Sequence, residues 1–221
     1  MLSSCGGATT VAPTQSPTPS PTPSASPSAS LAPAGSGAIT FTVDAASKAT
    51  VRVREQLARV PAPSDAVLTI GGATGTFTLN SDGTFASGSK ISVDMNTIAS
   101  DDRQRDDTIK RDPLEVRAFP RAEFVPRAIG GLALPVATSG DLSFTLAGDM
   151  TIHGTTKAVT FDVKATRTGT KLTATATANP TWKFADFGMR PPSSFLVLSI
   201  VDEIKLEFAL VASEVRPSTP P

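Results

Sequence analysis

The chain has few side chains suited to catalysis, and the first to consider is its one histidine. His153 lies near Ser143 and Asp149 in the sequence, and together they could form a Ser-His-Asp triad for acyl transfer. One common setting for the serine of such a triad is a Gly-x-Ser-x-Gly turn, and the chain contains no such motif. His153 precedes Gly154 and is better explained as a turn residue. We therefore predict no catalytic residue and no enzymatic activity.

A second group of reactive side chains is an acidic segment containing Asp101, Asp102, Asp106 and Asp107. Carboxylates at this density could bind Ca²⁺ or act as an acid and base pair. Basic residues alternate with them and would neutralise the same carboxylates, so the pattern favours a solvated helix with local ion pairs. A secondary hypothesis is contact with the anionic head group of a ligand, for which Arg103 and Arg105 are the predicted residues.

Composition argues against several classes of protein. The 221 residues include 20 basic and 20 acidic side chains, so there is no basic excess of the kind that supports nucleic-acid binding. No run of about 18 apolar residues is present to span a bilayer. One cysteine and one histidine exclude an internal disulfide and leave too few ligands for a zinc or haem site. We predict no metal, no cofactor and no nucleic-acid partner.

The first 38 residues contain no charged and no aromatic side chain and are rich in Ser, Thr, Ala, Gly and Pro. Such a segment cannot bury enough apolar surface to fold, which predicts a disordered tether. Near its start, Leu2-Ser3-Ser4-Cys5 resembles the lipobox of bacterial lipoproteins. That resemblance implies that Cys5 is lipidated and anchors the protein to a membrane outside the cytoplasm, in the periplasm or at the cell surface. The alternative is an accidental match in a tail with an unmodified thiol.

From residue 39 onward the apolar residues recur with a period of two, which is typical of half-buried β-strands. Predicted strands cover 39–43, 51–54, 74–79, 88–95, 142–152, 159–165, 172–178 and 204–211. Turn sequences such as Asn80–Gly83 and His153–Thr156 connect them. About eight antiparallel strands within residues 39–213 predict an all-β meander or barrel. Residues 214–221 are predicted to form a disordered tail.

One segment interrupts this pattern near mid-chain. Ser100 could cap a helix whose first turn is acidic, as the positive end of the helix dipole favours. The sequence Asp112-Pro113-Leu114-Glu115 is a stronger start, with an Asp cap, Pro at the first helical position and Glu three residues after the cap. We predict one or two short helices here, one of them running from Asp112 to about Ala118.

Four stretches of sequence resemble a known family: Ser100–Asp106, Arg117–Phe124, Gly148–Lys157 and Asp186–Met189. In order and spacing they are similar to the YceI-like family, and Gly-Asp-Met-Thr-Ile-His-Gly, which begins at Gly148, is the most specific part. The resemblance covers residues 39–212. It implies a lipocalin-like, eight-stranded antiparallel barrel that encloses a long amphiphile such as a polyisoprenoid. Two departures are an apparent extra loop over residues 54–65, and Thr108-Ile109 where His and Leu are common.

The interior of the predicted barrel is the expected ligand site. The strand at 172–178 has alanine at every second position and threonine between, which leaves room for a slim ligand. Alternatively, Trp182, Phe184 and Phe187 fill that space. The residues predicted to contact ligand are Phe41, Val51, Val53, Phe77, Ile91, Val93, Phe124, Phe144, Leu146, Met150, Ile152, Val159, Phe161, Ala174, Ala176, Trp182, Phe187, Leu206 and Phe208.

These observations favour a non-catalytic protein that binds, and carries or stores, a long-chain isoprenoid-type lipid. Burying one methylene contributes about 0.8 kcal/mol, whereas association costs about 4–15 kcal/mol, so several isoprene units are needed. Two alternatives remain at this stage. One is a filled barrel that acts as an interaction or stress-response module. The other is a lipid-modifying enzyme, which would need a polar triad inside the cavity.

Overall fold

A computed structural model describes residues 37–58, 60–193 and 197–215. The described chain forms ten β-strands and one α-helix, α1, at Arg103–Arg111. The strands are β1 Ile39–Val43, β2 Lys48–Leu57, β3 Ser64–Ile70, β4 Thr74–Leu79, β5 Lys90–Asp94, β6 Arg121–Gly130, β7 Ser139–Ile152, β8 Thr155–Thr168, β9 Lys171–Ala178 and β10 Val197–Glu214.

Eight of these strands close into a ring. Its order is β1-β4-β5-β6-β7-β8-β9-β10, and β10 pairs with β1 to complete it. Each of these pairings is antiparallel, which confirms the predicted eight-stranded antiparallel barrel. The long strand β10 also pairs with β2, and β2 pairs with β3, so that two further strands extend the wall.

The β7–β8 hairpin shows how the sequence sets the barrel register. Its 14 paired positions run from Ser139 opposite Thr168 to Ile152 opposite Thr155. The two-residue turn consists of His153, with φ of 51°, and Gly154, with φ of 71°. Two positive φ values in succession suit the twist of a tight hairpin, and glycine adopts this conformation without steric cost. The predicted turn is confirmed.

The predicted extra loop over residues 54–65 is wrong. Strand β2 continues through Leu57 and β3 begins at Ser64, so residues 54–57 and 64–65 belong to paired strands, and only the six residues 58–63 lie between them. The pairing of Glu55 with Ser64 and of Arg54 with Asp65 holds this hairpin together, and Arg54 Nη1 also donates to Asp65 Oδ1 at 3.0 Å. The strands predicted from the sequence included neither β3 nor β6. The barrel domain also extends slightly further than predicted, because β10 ends at Glu214.

The mid-chain helices differ from the prediction in position. The N-cap of α1 is Asp102, whose Oδ1 accepts from the backbone N–H of Gln104 at 2.8 Å and of Arg105 at 3.3 Å. Ser100 does not cap the helix; its hydroxyl donates to Asp106 Oδ1 at 2.7 Å.

No helix forms at 112–118. Asp112 is the C-cap of α1, since its N–H donates to Thr108 O. Pro113 has no N–H with which to continue the helix, and the N–H of Leu114 donates to Ile109 O at 3.2 Å instead. Glu115 then adopts a φ of 43°, which a right-handed helix cannot accommodate.

Candidate ligand-binding cavity

The barrel encloses a cavity of about 490 Å³. This volume lies within the range of small-molecule sites, which is about 300–1,000 Å³. The inward faces of the strands form its walls, and every predicted ligand-contacting residue lines it except Val159. Val159 is buried in the same core cluster as Trp182 and Phe187 but does not reach the cavity.

The cavity is lined by side chains that face inward without being fully covered. Leu142, Phe144 and Leu146 on β7 are each half-buried although they point away from bulk solvent. Ala174 and Ala176 on β9 are also half-buried and line the same space, as the alanine pattern predicted. In a close-packed core, inward-facing side chains would be fully buried, because such cores leave few voids larger than a water molecule. Half-buried side chains on this wall therefore indicate that the barrel is hollow beside them.

An aromatic cluster fills part of the interior. The Phe161 and Trp182 rings meet edge to face with centroids 5.8 Å apart, and those of Trp182 and Phe187 are 5.2 Å apart. Phe187 has no exposed surface and Phe184 is buried. In the alternative predicted from the sequence, these aromatic residues fill the barrel. They occupy part of the interior and still leave the cavity described above. Ala178 is buried near the end of β9 and does not line it.

Sequence reasoning missed one wall of the cavity. Ala66, Leu68 and Ile70 on β3 are buried and line it. Their alternation with polar or outward residues is the same period-two signal that identified the other strands. Ile109 of α1 and Leu114, just after the helix, also line the cavity, so the mid-chain segment covers part of it.

Several residues of the Gly148–Gly154 motif have a structural explanation. A Cβ atom at Gly148 would lie 2.5 Å from the Phe124 ring and from Val125 O, so only glycine admits this contact across the β6–β7 pair. Met150 and Ile152 line the cavity, as predicted. His153 lies in the turn, where its Nε2 is 2.7 Å from Glu115 Oε2.

The Asp186–Met189 motif fixes the aromatic cluster. Asp186 accepts a hydrogen bond from the Lys183 N–H at 2.8 Å and forms an ion pair with Lys157 on β8. The hydrogen bond from the Lys157 side chain, followed by that from the Lys183 backbone, lowers the pKa of the Asp186 carboxyl below its ordinary value of 3.8. Gly188 follows with φ of 68° and ends the short 3-10 helix Phe184–Phe187.

The cavity opens beside α1. Three of the lining residues in the described chain are exposed to solvent. Asp102 and Gln104 belong to the start of α1, and Val60 lies just after β2. Arg105 lines the mouth and pairs with Glu55 of β2 and with Asp101. Arg103, the other predicted head-group residue, is exposed and does not line the cavity.

The opposite end of the cavity is closed by a buried arginine. Arg167 on β8 is 3% exposed, and its Nη2 donates to Glu214 Oε2 at 2.6 Å. Its Nε and Nη1 donate to the carbonyl oxygens of Gly169 and Ala137. The guanidinium also lies 5.5 Å from the centroid of the Phe41 ring, within the range of a cation–π interaction.

The other chemically interesting residues contribute no site of their own. His153 packs edge to face on Phe119, with ring centroids 4.7 Å apart, and does not line the cavity. Among the residues that the structure describes, no cluster of His, Cys, Asp and Glu side chains is arranged to hold a metal ion. Likewise, no helix within the described ranges is long and apolar enough to cross a membrane. Cys5 and the predicted tether lie outside the described residues.

An eight-stranded antiparallel ring around an apolar cavity defines a lipocalin-like barrel. The model of the YceI-like domain matches residues 38–212, and the chain belongs to this family. A UPF0312 protein of Pseudomonas putida strain W619 is 36% identical over 115 residues, which are 48% of this chain and 55% of that protein. The chain therefore spans little more than half the length of the curated relatives it matches.

Solved structures share the fold at low sequence identity. BcnA of Burkholderia cenocepacia aligns with a TM-score of 0.57 at 19% identity, over 77% of this chain and 99% of that one. A polyisoprenoid binding domain from Saccharophagus degradans, implicated in plant cell wall breakdown, aligns with a TM-score of 0.57 at 12% identity, over 79% and 98%. The YceI protein of Campylobacter jejuni aligns with a TM-score of 0.52 at 15% identity, over 73% and 91%.

Proposed function

We propose that this protein binds a long-chain isoprenoid-type lipid inside the barrel, and that it carries or stores that lipid without altering it. The observation that carries this proposal is the 490 Å³ cavity with walls of aliphatic and aromatic side chains. Burial of apolar surface is the main source of affinity for a ligand of this kind. The structural similarity to a polyisoprenoid binding domain from another organism supports the same ligand class.

The length of the cavity suits a chain of several isoprene units. Leu142 and Ile152 on β7 both line it, and ten residue steps of a strand cover about 33 Å. With a strand tilt of about 40°, the cavity is about 25 Å long along the barrel axis. Extended-chain geometry gives an isoprene unit a length of about 4.7 Å, so about five units fit. Their burial would contribute about 15–20 kcal/mol before the cost of association.

The lining argues against the two alternative functions. The half-buried inward residues of β7 leave space that a filled interaction module would not have. Among the described residues that line the cavity there is no serine, cysteine or histidine to act as a nucleophile or a general base. A binding protein without catalysis is the function most consistent with this lining.

We also propose that Cys5 anchors the protein to a membrane outside the cytoplasm. Residues 6–38 would reach at most about 100 Å in a polyproline II conformation, which is enough to hold the barrel clear of the head groups. In the native host, Cys5→Ser should release the protein from the membrane fraction, while Ser16→Ala in the same segment should not. Equal retention of the Cys5→Ser protein and its parent would contradict the anchor without affecting the lipid-binding proposal.

The direct test of lipid binding is organic extraction of protein purified without detergent, followed by mass spectrometry of the extract. We expect a prenyl lipid in near-stoichiometric amount, and native mass spectrometry should show the same mass bound to the folded protein. The Ala176→Phe variant is the matched control, because its added ring would occupy the cavity. An extract that contains no lipid from either protein would contradict the proposal.

A further inference from the structure

The mouth of the cavity is where the polar end of a bound lipid must lie. The exposed lining residues Val60, Asp102 and Gln104 lie at this end, whereas the Arg167 end is closed by side chains and carbonyl groups that are already paired. A lipid whose chain fills the barrel therefore places its head group beside α1. The charges of the mouth then determine which head groups it accepts.

The single basic side chain that lines the mouth in the described chain is already shared by two carboxylates. Arg105 Nη1 donates to Asp101 Oδ1 at 2.6 Å, and Nη2 donates to Glu55 Oε1 at 3.1 Å. The side chains of Arg105 and Glu55 are 19% and 7% exposed, so this pair is largely withdrawn from water. An anionic head group would have to displace one of these carboxylates to reach the guanidinium.

The remaining charges at the mouth are acidic. Glu55 and Asp102 line the cavity, and Glu55 and Asp101 both pair with Arg105, so three carboxylates lie near one guanidinium. Asp106 lies buried behind them and accepts from the Ser100 hydroxyl. The other basic residues of α1, Arg103, Lys110 and Arg111, do not line the cavity. A phosphate or carboxylate placed at the mouth would therefore meet a net negative charge.

From this arrangement we infer that the ligand has an uncharged, hydrogen-bonding head group, such as an alcohol, ketone or amide, and that Glu55 excludes anionic lipids. Glu55 offers an acceptor, while Gln104 and Thr108 bring an amide and a hydroxyl to the mouth. This inference rests on the proposed lipid binding and replaces the anionic head group expected for Arg103 and Arg105.

The test compares two probes with the same chain, geranylgeraniol and geranylgeranyl diphosphate. Trp182 is the only tryptophan and lines the cavity, so its fluorescence reports binding of either probe. We expect the full-length protein to bind the alcohol roughly ten-fold more tightly than the diphosphate, because like charges repel strongly at a partly buried site. Added salt should narrow that difference by screening the repulsion.

Three variants decide whether Glu55 sets this preference. Glu55→Gln should strengthen diphosphate binding several-fold and so shift the ratio of the two affinities towards the diphosphate. Asp101→Asn should act in the same direction; its side chain is 86% exposed, so folding does not depend on it. Glu115→Gln removes an acid that does not line the cavity and should leave both affinities as they are.

The outcomes separate this inference from the proposed function. Diphosphate binding equal to or tighter than alcohol binding in the parent protein would overturn the inference and leave lipid binding intact. Unchanged diphosphate affinity in both Glu55→Gln and Asp101→Asn would overturn the role of the acidic mouth. If neither probe alters Trp182 fluorescence and no lipid is extracted, the proposed function itself is contradicted.

Discussion

Phe208 of β10 lies directly opposite Ala176 of β9 in the sheet, and both side chains line the cavity. The alanine contributes only a methyl group, so the wall is recessed beside the large ring. A small residue at this position keeps space inside an eight-stranded barrel, whose interior is narrow enough for side chains to fill.

Replacement of Ala176 by phenylalanine should therefore block ligand uptake while the barrel still folds. The new ring would occupy space that the lipid otherwise takes, so we expect lipid content to fall several-fold and stability to change by less than about 1 kcal/mol. Organic extraction measures the first quantity and urea denaturation the second.

Two neighbouring positions provide the controls. Thr175→Phe adds the same ring on the exposed outer face of β9 and should leave lipid content unchanged. Ala178→Phe adds it where no cavity exists, since Ala178 is buried in the core cluster, and should destabilise the fold by about 1–3 kcal/mol. A strongly unfolded Ala176→Phe protein would show that the space beside Phe208 is already filled.

The close contact of Gly148 with Phe124 gives a second prediction. Gly148→Ala would place a methyl group 2.5 Å from the Phe124 ring and from Val125 O, and backbone atoms cannot move aside as a flexible side chain would. We expect a loss of about 1–3 kcal/mol in the free energy of unfolding.

Gly71→Ala is the control for this substitution. The nearest atom to its added Cβ is Thr97 Oγ1 at 3.9 Å, which is an ordinary contact distance. Equal stability of the two variants, measured by urea denaturation, would mean that the contact at Gly148 does not constrain the β6–β7 pair.

The buried ion pair at the closed end supports a third prediction. Glu214→Gln leaves the Arg167 guanidinium, which is 3% exposed, without its carboxylate, and should destabilise the protein by about 3 kcal/mol. The double variant Arg167→Met with Glu214→Gln should regain much of this loss, because no buried charge then lacks a partner. A double variant no more stable than Glu214→Gln would indicate that Arg167 is needed for its bonds to the carbonyl groups.

Most of the barrel could be predicted from the sequence because its strands alternate strictly. On β8, for example, Phe161, Val163 and Ala165 are buried and the residues between them are not. The β3 strand carries the same signal, but an apparent extra loop was expected over residues 54–65, and the strand that follows was not predicted. The helix prediction failed at Asp112 because a cap followed by proline can equally end the preceding helix.

The same alternation predicts the apolar wall of the cavity. It does not predict the charged residues at the two ends of the cavity. Arg167 has the inward parity of Val163 and Ala165, but burial of an arginine is unfavourable unless a partner is present. That partner, Glu214, is 47 residues away in sequence and lay in the predicted tail. The Arg105–Glu55 pair is also non-local, since 50 residues separate its members. Local patterns cannot reveal such pairings.

The pH dependence of stability provides a fourth prediction, through Asp186. Its hydrogen bonds from Lys157 and from the Lys183 N–H lower the pKa of its carboxyl, so the folded state holds the ionised form more strongly than the unfolded chain does. A carboxyl with a lowered pKa stabilises the fold at pH values above its unfolded pKa, near 3.8, and this contribution is lost as the pH falls through the lower folded value.

Asp186→Asn should therefore destabilise the protein by about 1 kcal/mol at pH 7, a typical cost for losing a capping carboxylate. The deficit should shrink as the pH falls from about 4 through the lowered pKa of the folded carboxyl, because the parent side chain then also becomes neutral. Urea denaturation of both proteins from pH 7 to pH 2.5 measures the difference. Asp149→Asn, whose carboxylate meets Arg127 on the outer surface at 2.8 Å, is the control for a more exposed pair and should cost less. A deficit for Asp186→Asn that stays constant across this pH range would contradict the assigned role of its charge.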